Sequence, residues 1–309
     1  MLKKFFKAKS NAPIEKDFHL SAGLSQTMLQ FLGSRGIPTM PGAAQKAFEL
    51  SINPNAEAKD FIDVIKSDEA LSARILKISN SVFFERGKKC ETIEDGVLLI
   101  GLTELRGLLN ANTLKDLFPS THPARAQFWA NDIATGIIAK NLTRQIVPEK
   151  TDLAFTAGLM HDIGKLLILQ RAPDIYDKVL KLVREKGLSY QDAEIQSLAF
   201  THADLGFLLA EKWNFSNDLK NAIGLHHISW TEEDLKGLKT PPLYLIIKTA
   251  DIIAHSLGLG HGMGFSRLQN NCKDLVSSAL TVIGINSEDL SNLLDSLKRA
   301  FHNESELYL

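Results

Sequence analysis

Apolar residues recur along this chain at intervals of three and four, and no stretch alternates apolar and polar positions long enough to read as a strand. Leu24, Met28, Leu29 and Leu32 form one such stripe, which the residues GSRG bring to an end. The turn GIPTMPG, with Pro38 and Pro41, separates it from a helix beginning near Ala43. Over 70–79, Leu71, Ile75 and Ile78 repeat at helical spacing, a face that needs a partner helix to cover it. Past a loop containing ERGKK, Ile93, Val97, Leu98, Leu105, Leu108 and Leu109 outline further helix broken near Gly101. The segment DLFPSTHPARA, residues 116–126, holds two prolines in a polar cluster and reads as a hinge. Later helices are expected at about 127–146, 151–170, 174–186, 189–199, 203–213, 216–228, 241–257, 271–284 and 287–302. The last places Glu288 and Asp289 in its first turn and Lys298 and Arg299 in its last, complementing the helix dipole. The pattern predicts an all-α protein with an N-terminal helical lobe over 21–120 and a second lobe over 121–309.

Composition narrows the class. With 35 basic and 36 acidic residues in 309, the net charge is −1, and no basic block suits the neutralisation of a phosphate backbone, so a dedicated nucleic-acid binder is not expected. Two cysteines, Cys90 and Cys272, cannot staple a chain of this length and point to a reducing, cytoplasmic setting. The longest apolar runs, GVLLIGL (96–102) and LYLII (243–247), fall far short of the roughly 18 residues that span a bilayer. The opening MLKKFFKAKS has four lysines but no signal-peptide core, and residues 1–20 are expected to be a poorly ordered basic N-terminus; membrane-surface attachment is the competing reading.

The chemistry concentrates in AGLMHDIGKLLIL, residues 157–169. On a single helix His161, Asp162 and Lys165 would face one side, among Leu159, Met160, Ile163, Leu166 and Leu167. Polar groups in such surroundings must be paired, hydrogen-bonded or bound to metal. Gly158 and Gly164 each cost such a helix about 1 kcal/mol relative to alanine, which makes sense where another helix or a ligand comes close. His202 opens a later helix, His226 and His227 close another, and Asp251 lies within LIIKTADIIAH with His255 one turn on. Imidazole and carboxylate together suit Fe, Mn, Zn or Mg rather than a thiolate-selecting metal. His19, His122, His261 and His302 fall outside this set. The loop GLGHGMG (258–264) has no preceding strand and no following Lys-Ser/Thr, so it is read as a flexible connection and not a phosphate cradle. Trp129, Trp213 and Trp230 are read as packing residues.

The order His-Asp, His, His-His, Asp resembles the metal-binding order of the HD phosphohydrolase superfamily. The strings IPTMPGAAQKAFEL (37–50), VIKSDEALSARILKISNSVFF (64–84), TIEDGVLLIGLTELRGLL (92–109) and THADLGFLLAEKWNF (201–215) are similar more narrowly to the HDOD family, the HD-related output domain of bacterial signalling proteins. That resemblance covers roughly residues 37–255 and implies an HDOD fold in which the N-terminal helical lobe packs on an HD-like lobe. It also implies metal-ligand positions at His161, Asp162, His202, His226, His227 and Asp251.

Two departures bear on activity. Relatives that keep an upstream histidine carry it two residues after a tryptophan, where this chain, after Trp129, has Asn131. The HD-GYP phosphodiesterases follow their histidine pair with an acidic residue and GYP, whereas here ISWTEEDLKG follows. The resemblance therefore implies a regulatory, protein-interaction or ligand-sensing module with a degenerate HD site, acting through a signalling partner or a nucleotide ligand. The flanks at 1–36 and 256–309 are too short for a receiver, kinase or cyclase module, so the signal is expected from elsewhere. The alternative is a metal-dependent phosphohydrolase or phosphodiesterase in which Lys165 contacts the substrate phosphate.

Overall fold

Short polar side chains start the helices. Ser21, Asp68, Thr92, Ser189, Thr201, Ser216 and Asp289 each accept a hydrogen bond from the backbone N–H three residues on. Each such cap contributes about 1 kcal/mol by satisfying a donor the helix itself leaves open. The structure is a computed structural model that describes residues 17–40, 42–53, 55–84, 89–229, 240–262, 264–286 and 289–308. The basic segment 1–16, Trp230 with most of ISWTEEDLKG, Met263 and Glu288 lie outside the described residues.

The first six helices are α1 (Ala22–Leu32), α2 (Gly42–Ile52), α3 (Ala58–Lys66), α4 (Glu69–Ser79), α5 (Ile93–Ile100) and α6 (Leu102–Leu117). They are followed by α7 (Ala124–Ile146), α8 (Thr151–Met160), α9 (Ile163–Arg171), α10 (Pro173–Lys186), α11 (Tyr190–Ile195), α12 (His202–Lys212) and α13 (Asn217–Leu225). The chain then forms α14 (Leu243–Ser256), α15 (Ser266–Val282) and α16 (Leu290–Glu304). No strand occurs among the described residues, so the all-α expectation holds. Gly101, at φ +80, makes the anticipated break between α5 and α6.

Several expected elements change, among them α15, which begins at Ser266 and not near 271, and α3, which forms where no helix was expected. The helix expected over 151–170 is two helices, because Asp162 leaves the helical region at φ −104, ψ 16 and the His161 imidazole turns back on the Gly158 carbonyl at 2.7 Å. The helix expected over 189–199 shortens to α11, and Thr201 caps α12 instead. Asp289 caps α16 rather than lying in its first turn.

α7 is the axis of the core and packs on α8, α9, α14 and α16. It meets α8 closely, since a Cβ on Gly158 would stand 2.6 Å from Gly136 Cα. Around this pair, α14 lies against α7, α13 and α15, and α12 packs between α9 and α13. Helices α2 to α6 pack among themselves, and α2 and α6 also reach α8. A buried polar chain crosses there: Ser51 Oγ donates to Asn110 Oδ1 at 2.8 Å, and Asn110 Nδ2 donates to Thr156 Oγ1 at 3.0 Å. Arg106 donates to the carbonyls of Leu50, Ser51, Asn53 and Ala56, tying the end of α2 and its following turn to α6.

The tryptophans at 129 and 213 serve packing, their indole N–H groups donating to Tyr308 O and Pro38 O. Phe18 is packed as well, with its ring edge-on to Phe207 and its N–H donating to Asn221. Among the described residues no helix is long and apolar enough to cross a membrane.

Candidate metal centre

Two histidines are fixed by ending helices. His161 closes α8 and His226 closes α13, and each brings Nδ1 to the carbonyl three residues back, Gly158 and Ile223, at 2.7 Å in both cases. Nδ1 is thereby a protonated nitrogen, since only a donor can satisfy a carbonyl, and Nε2 is left to face the cluster, with a lone pair available for a metal whenever the ring is neutral. His202, the first residue of α12, is fixed differently. Its Nδ1 and backbone N–H both reach Glu194 Oε2, at 2.6 and 2.7 Å, while the other Glu194 oxygen accepts the Tyr176 hydroxyl at 2.8 Å.

These nitrogens converge on Asp162. His202 Nε2 lies 3.1 Å and His226 Nε2 3.5 Å from Asp162 Oδ1, and His161 Nε2 lies 3.3 Å from Oδ2. His227 Nε2 is 2.8 Å from His202 Nε2, so Asp162, His202, His226 and His227 present four ligand atoms within 4.8 Å of one another. Asp251, from α14, joins on the other side at 3.5 Å from His161 Nε2. The structure thus brings together all six residues of the His/Asp set.

The other expectations are refined. Lys165 is enclosed, paired with Asp162 and lying over the Tyr190 ring at 4.2 Å. Asn131 turns away from the cluster and donates to the Leu259 carbonyl at 3.4 Å. The glycine-rich loop is no slack connection there, because a Cβ on Gly260 would stand 2.3 Å from the Asn131 nitrogen. His255 sits 3.2 Å from Asp251 Oδ1. His261, expected outside the constellation, contacts His255 and stacks near Tyr190 and Phe265.

Two residues escaped the sequence reading. Glu194 has no motif to mark it, only its place on a short helix before His202. Asp132 follows Asn131 directly, is fully buried on α7, and neither of its oxygens finds a hydrogen-bond partner. The available signal was a carboxylate at the start of the apolar run 132–139 in the middle of α7.

Charge is apportioned by these contacts. Burial disfavours the His161 cation, but Asp162 and Asp251 outweigh it and raise its pKa well above the usual value. His202 is raised too, with Glu194 overcoming burial. Burial holds Asp162 back from ionising, yet His161 and Lys165 prevail and keep it well below the carboxylate range. Burial pushes His226 down to about 4 and also lowers His227 and His255.

A pH dependence follows. Between the ordinary histidine value of about 6.5 and about 4, the unfolded chain takes up a proton at residue 226 that the folded chain refuses, so acidification across that window costs stability. His227 and His255 act with the same sign. His161 and His202 act oppositely: their contributions are fully present below about 6.5 and fade as pH rises through their raised folded values. The melting temperature of metal-free protein is expected to fall as pH drops from 6.5 to 4, and a flat profile in a calorimetric series would contradict this assignment.

Comparison with known proteins identifies the fold that carries this cluster. The family model for the HDOD domain matches residues 37–229. An uncharacterized protein of Treponema pallidum (strain Nichols) is 27% identical over 192 residues, which is 62% of this chain and 37% of that protein. A crystal structure from Marinobacter aquaeolei VT8, provisionally named a signal transduction protein, superposes with a TM-score of 0.71 at 20% identity over 88% of this chain and 59% of that one. Another from Shewanella amazonensis SB2B, provisionally named a phosphohydrolase, gives 0.66 at 23% identity over 92% and 98%. The chain therefore spans well under two thirds of the Treponema and Marinobacter proteins. The structures share its fold, and with the family model covering most of the chain and the helices in place, this protein belongs to the HDOD family.

Proposed function

We propose that this is a non-catalytic signalling module whose HD-like lobe, 121–309, holds a divalent metal ion as a fixed or ligand-sensing element, while the lobe over 21–120 contacts a signalling partner. One observation carries the metal reading. His161 Nε2, Asp162 Oδ1 and Asp251 Oδ1 are buried with no hydrogen bond aligned on them, although His202 Nε2 stands 3.1 Å from Asp162 Oδ1 and His255 Nε2 3.2 Å from Asp251 Oδ1, so ligand atoms crowd together without donors placed to satisfy them. Lone pairs enclosed without donors are costly, and a cation removes that cost. The donor set of imidazoles and carboxylates fits Fe, Mn, Zn or Mg. His161, Asp162, His202, His226, His227 and Asp251 would hold it, and when bound such an ion polarises phosphoryl oxygens and acidifies water.

The residues around the ion favour retention over turnover. Among the described residues His161, His202, His226 and Asp162 are at 0–2% exposure and only His227 is half-buried, so most of the centre is withdrawn from solvent, as in structural metal sites. Lys165, which would meet a substrate phosphate in an enzyme, is committed to Asp162 and Tyr190. The provisional name of the Marinobacter relative accords with a signalling role, and a nucleotide is the ligand class that an HD-derived lobe suggests.

Elemental analysis of the purified chain, followed by assays on cyclic dinucleotides and nucleotides with added Mn²⁺ or Fe²⁺, tests both halves. Bound metal without turnover is expected. Turnover abolished by Asp162→Ala would overturn the non-catalytic reading, and protein free of metal under loading conditions would overturn the metal reading.

Glu194 gives a second check. Its carboxylate fixes the tautomer that points His202 Nε2 at Asp162. Glu194→Gln preserves shape but weakens that hydrogen bond, and a loss of roughly 10–100-fold in metal affinity is expected by competition with a chelating dye. Unchanged affinity would show that packing alone sets the ring.

A further inference from the structure

We propose that Asp132 supplies the ligand that the chain lacks at Asn131, completing a second metal position with His161, Asp162 and Asp251; this rests on the metal reading above. Asp132 has no hydrogen-bond partner among the described residues. It comes from the middle of α7, is fully buried, and both carboxylate oxygens are without a partner, although most buried carboxylates recruit one. Its nearest ionisable neighbour is the His161 ring, 3.8 Å from Oδ1 to Nδ1, and that nitrogen already serves the Gly158 carbonyl.

Asp132, His161 and Asp162 nevertheless each offer a ligand atom, all within 4.8 Å of one another, and this group is separate from the one formed by Asp162 with His202, His226 and His227. Asp162 belongs to both groups, one oxygen facing the His202 side and the other the His161 side. Asp251 adds a further oxygen at 3.5 Å from His161 Nε2. Asp162 and Asp251 stand toward Nε2 of the His161 ring and Asp132 toward its other nitrogen, and a divalent cation held among them would be ligated mainly by oxygen.

The neighbouring residue explains the shift by one position. Asn131 is tied to Leu259 O, and Gly260 lies so close to its backbone that the loop occupies the space beside it. A side chain at 131 is therefore directed toward the loop, and the carboxylate at 132 faces the centre. The two positions would differ in preference, the nitrogen-rich group favouring softer ions and the Asp132 group favouring Mn²⁺ or Mg²⁺.

The test uses the full chain loaded with Mn²⁺, with bound metal counted by equilibrium dialysis and the coupling of the two ions read by electron paramagnetic resonance. Wild type is expected to bind two ions with a spin-coupled signal. Asp132→Asn, nearly isosteric, should bind one ion with an uncoupled signal, and Asp132→Ala should do the same. Without metal, Asp132→Asn should melt near wild type, because an unpaired buried amide replaces an unpaired buried acid, so its loss of loading would not be a loss of fold. Two coupled ions in both variants would overturn the proposal, as would a single ion in wild type that His227→Ala removes and Asp132→Asn does not. No bound ion in wild type would overturn the metal reading itself, which separates the two failures.

Discussion

Gly164→Ala is expected to be among the most damaging single-methyl additions in the molecule. A Cβ there would stand 2.0 Å from the His202 carbonyl oxygen, 2.8 Å from its carbon and 3.0 Å from the Gly206 nitrogen. All three are backbone atoms, so no side chain can rotate away, and α9 and α12 must separate. Alanine would gain about 1 kcal/mol of helix propensity, but overpacking against rigid backbone costs about 3 kcal/mol or more, and the clash prevails. The melting temperature should fall by roughly 4–8 °C on a net loss of about 2 kcal/mol. Function should suffer as well, because the displaced backbone is that of His202, whose ring is held by Glu194 on one side and faces Asp162 on the other. Gly23→Ala, where nothing lies within 4 Å, is the matched control and should be neutral or slightly stabilising. Equal melting temperatures for the two variants would show that α9 and α12 are not in rigid contact.

That prediction marks how far the sequence could be read. Two glycines inside an apolar helix signalled a close approach, and the structure supplies the neighbours: Gly136 for Gly158, and the His202 carbonyl with Gly206 for Gly164. Helical periodicity located nearly every element, because an amphipathic stripe reflects burial directly. It failed at 161–162, where apolar residues continue on both sides and the break is made by an imidazole reaching the Gly158 carbonyl. A side chain that both caps a helix and joins a cluster leaves no mark on periodicity. The six His/Asp positions were legible through resemblance and spacing. Asp132, Glu194 and His261 were not, since their roles depend on tertiary approach: α7 turned toward α8, a short helix laid beside His202, and a glycine loop pressed on Asn131.

Asp162→Ala is expected to have the largest effect on the centre and to do so in two separable ways. Among the described residues Asp162 is the side chain within reach of His161, His202 and His226 together, and it belongs to both ligand groups. Its removal should empty the protein of tightly held metal, measured as ions per chain after gel filtration. The second effect needs no metal. Lys165 is 1% exposed and has Asp162 as its hydrogen-bonded anion, so truncation leaves a buried ammonium without it. Breaking one side of such a pair costs about 3–5 kcal/mol, and relief of repulsion toward Asp251 offsets only part of that. The double variant Asp162→Ala, Lys165→Met removes the stranded charge and fills the space with an unbranched apolar chain. It should recover most of the lost stability while remaining unable to hold metal. If the double variant binds metal like wild type, Asp162 is no ligand; if it melts as low as the single variant, the Lys165 charge was not the cause of the loss.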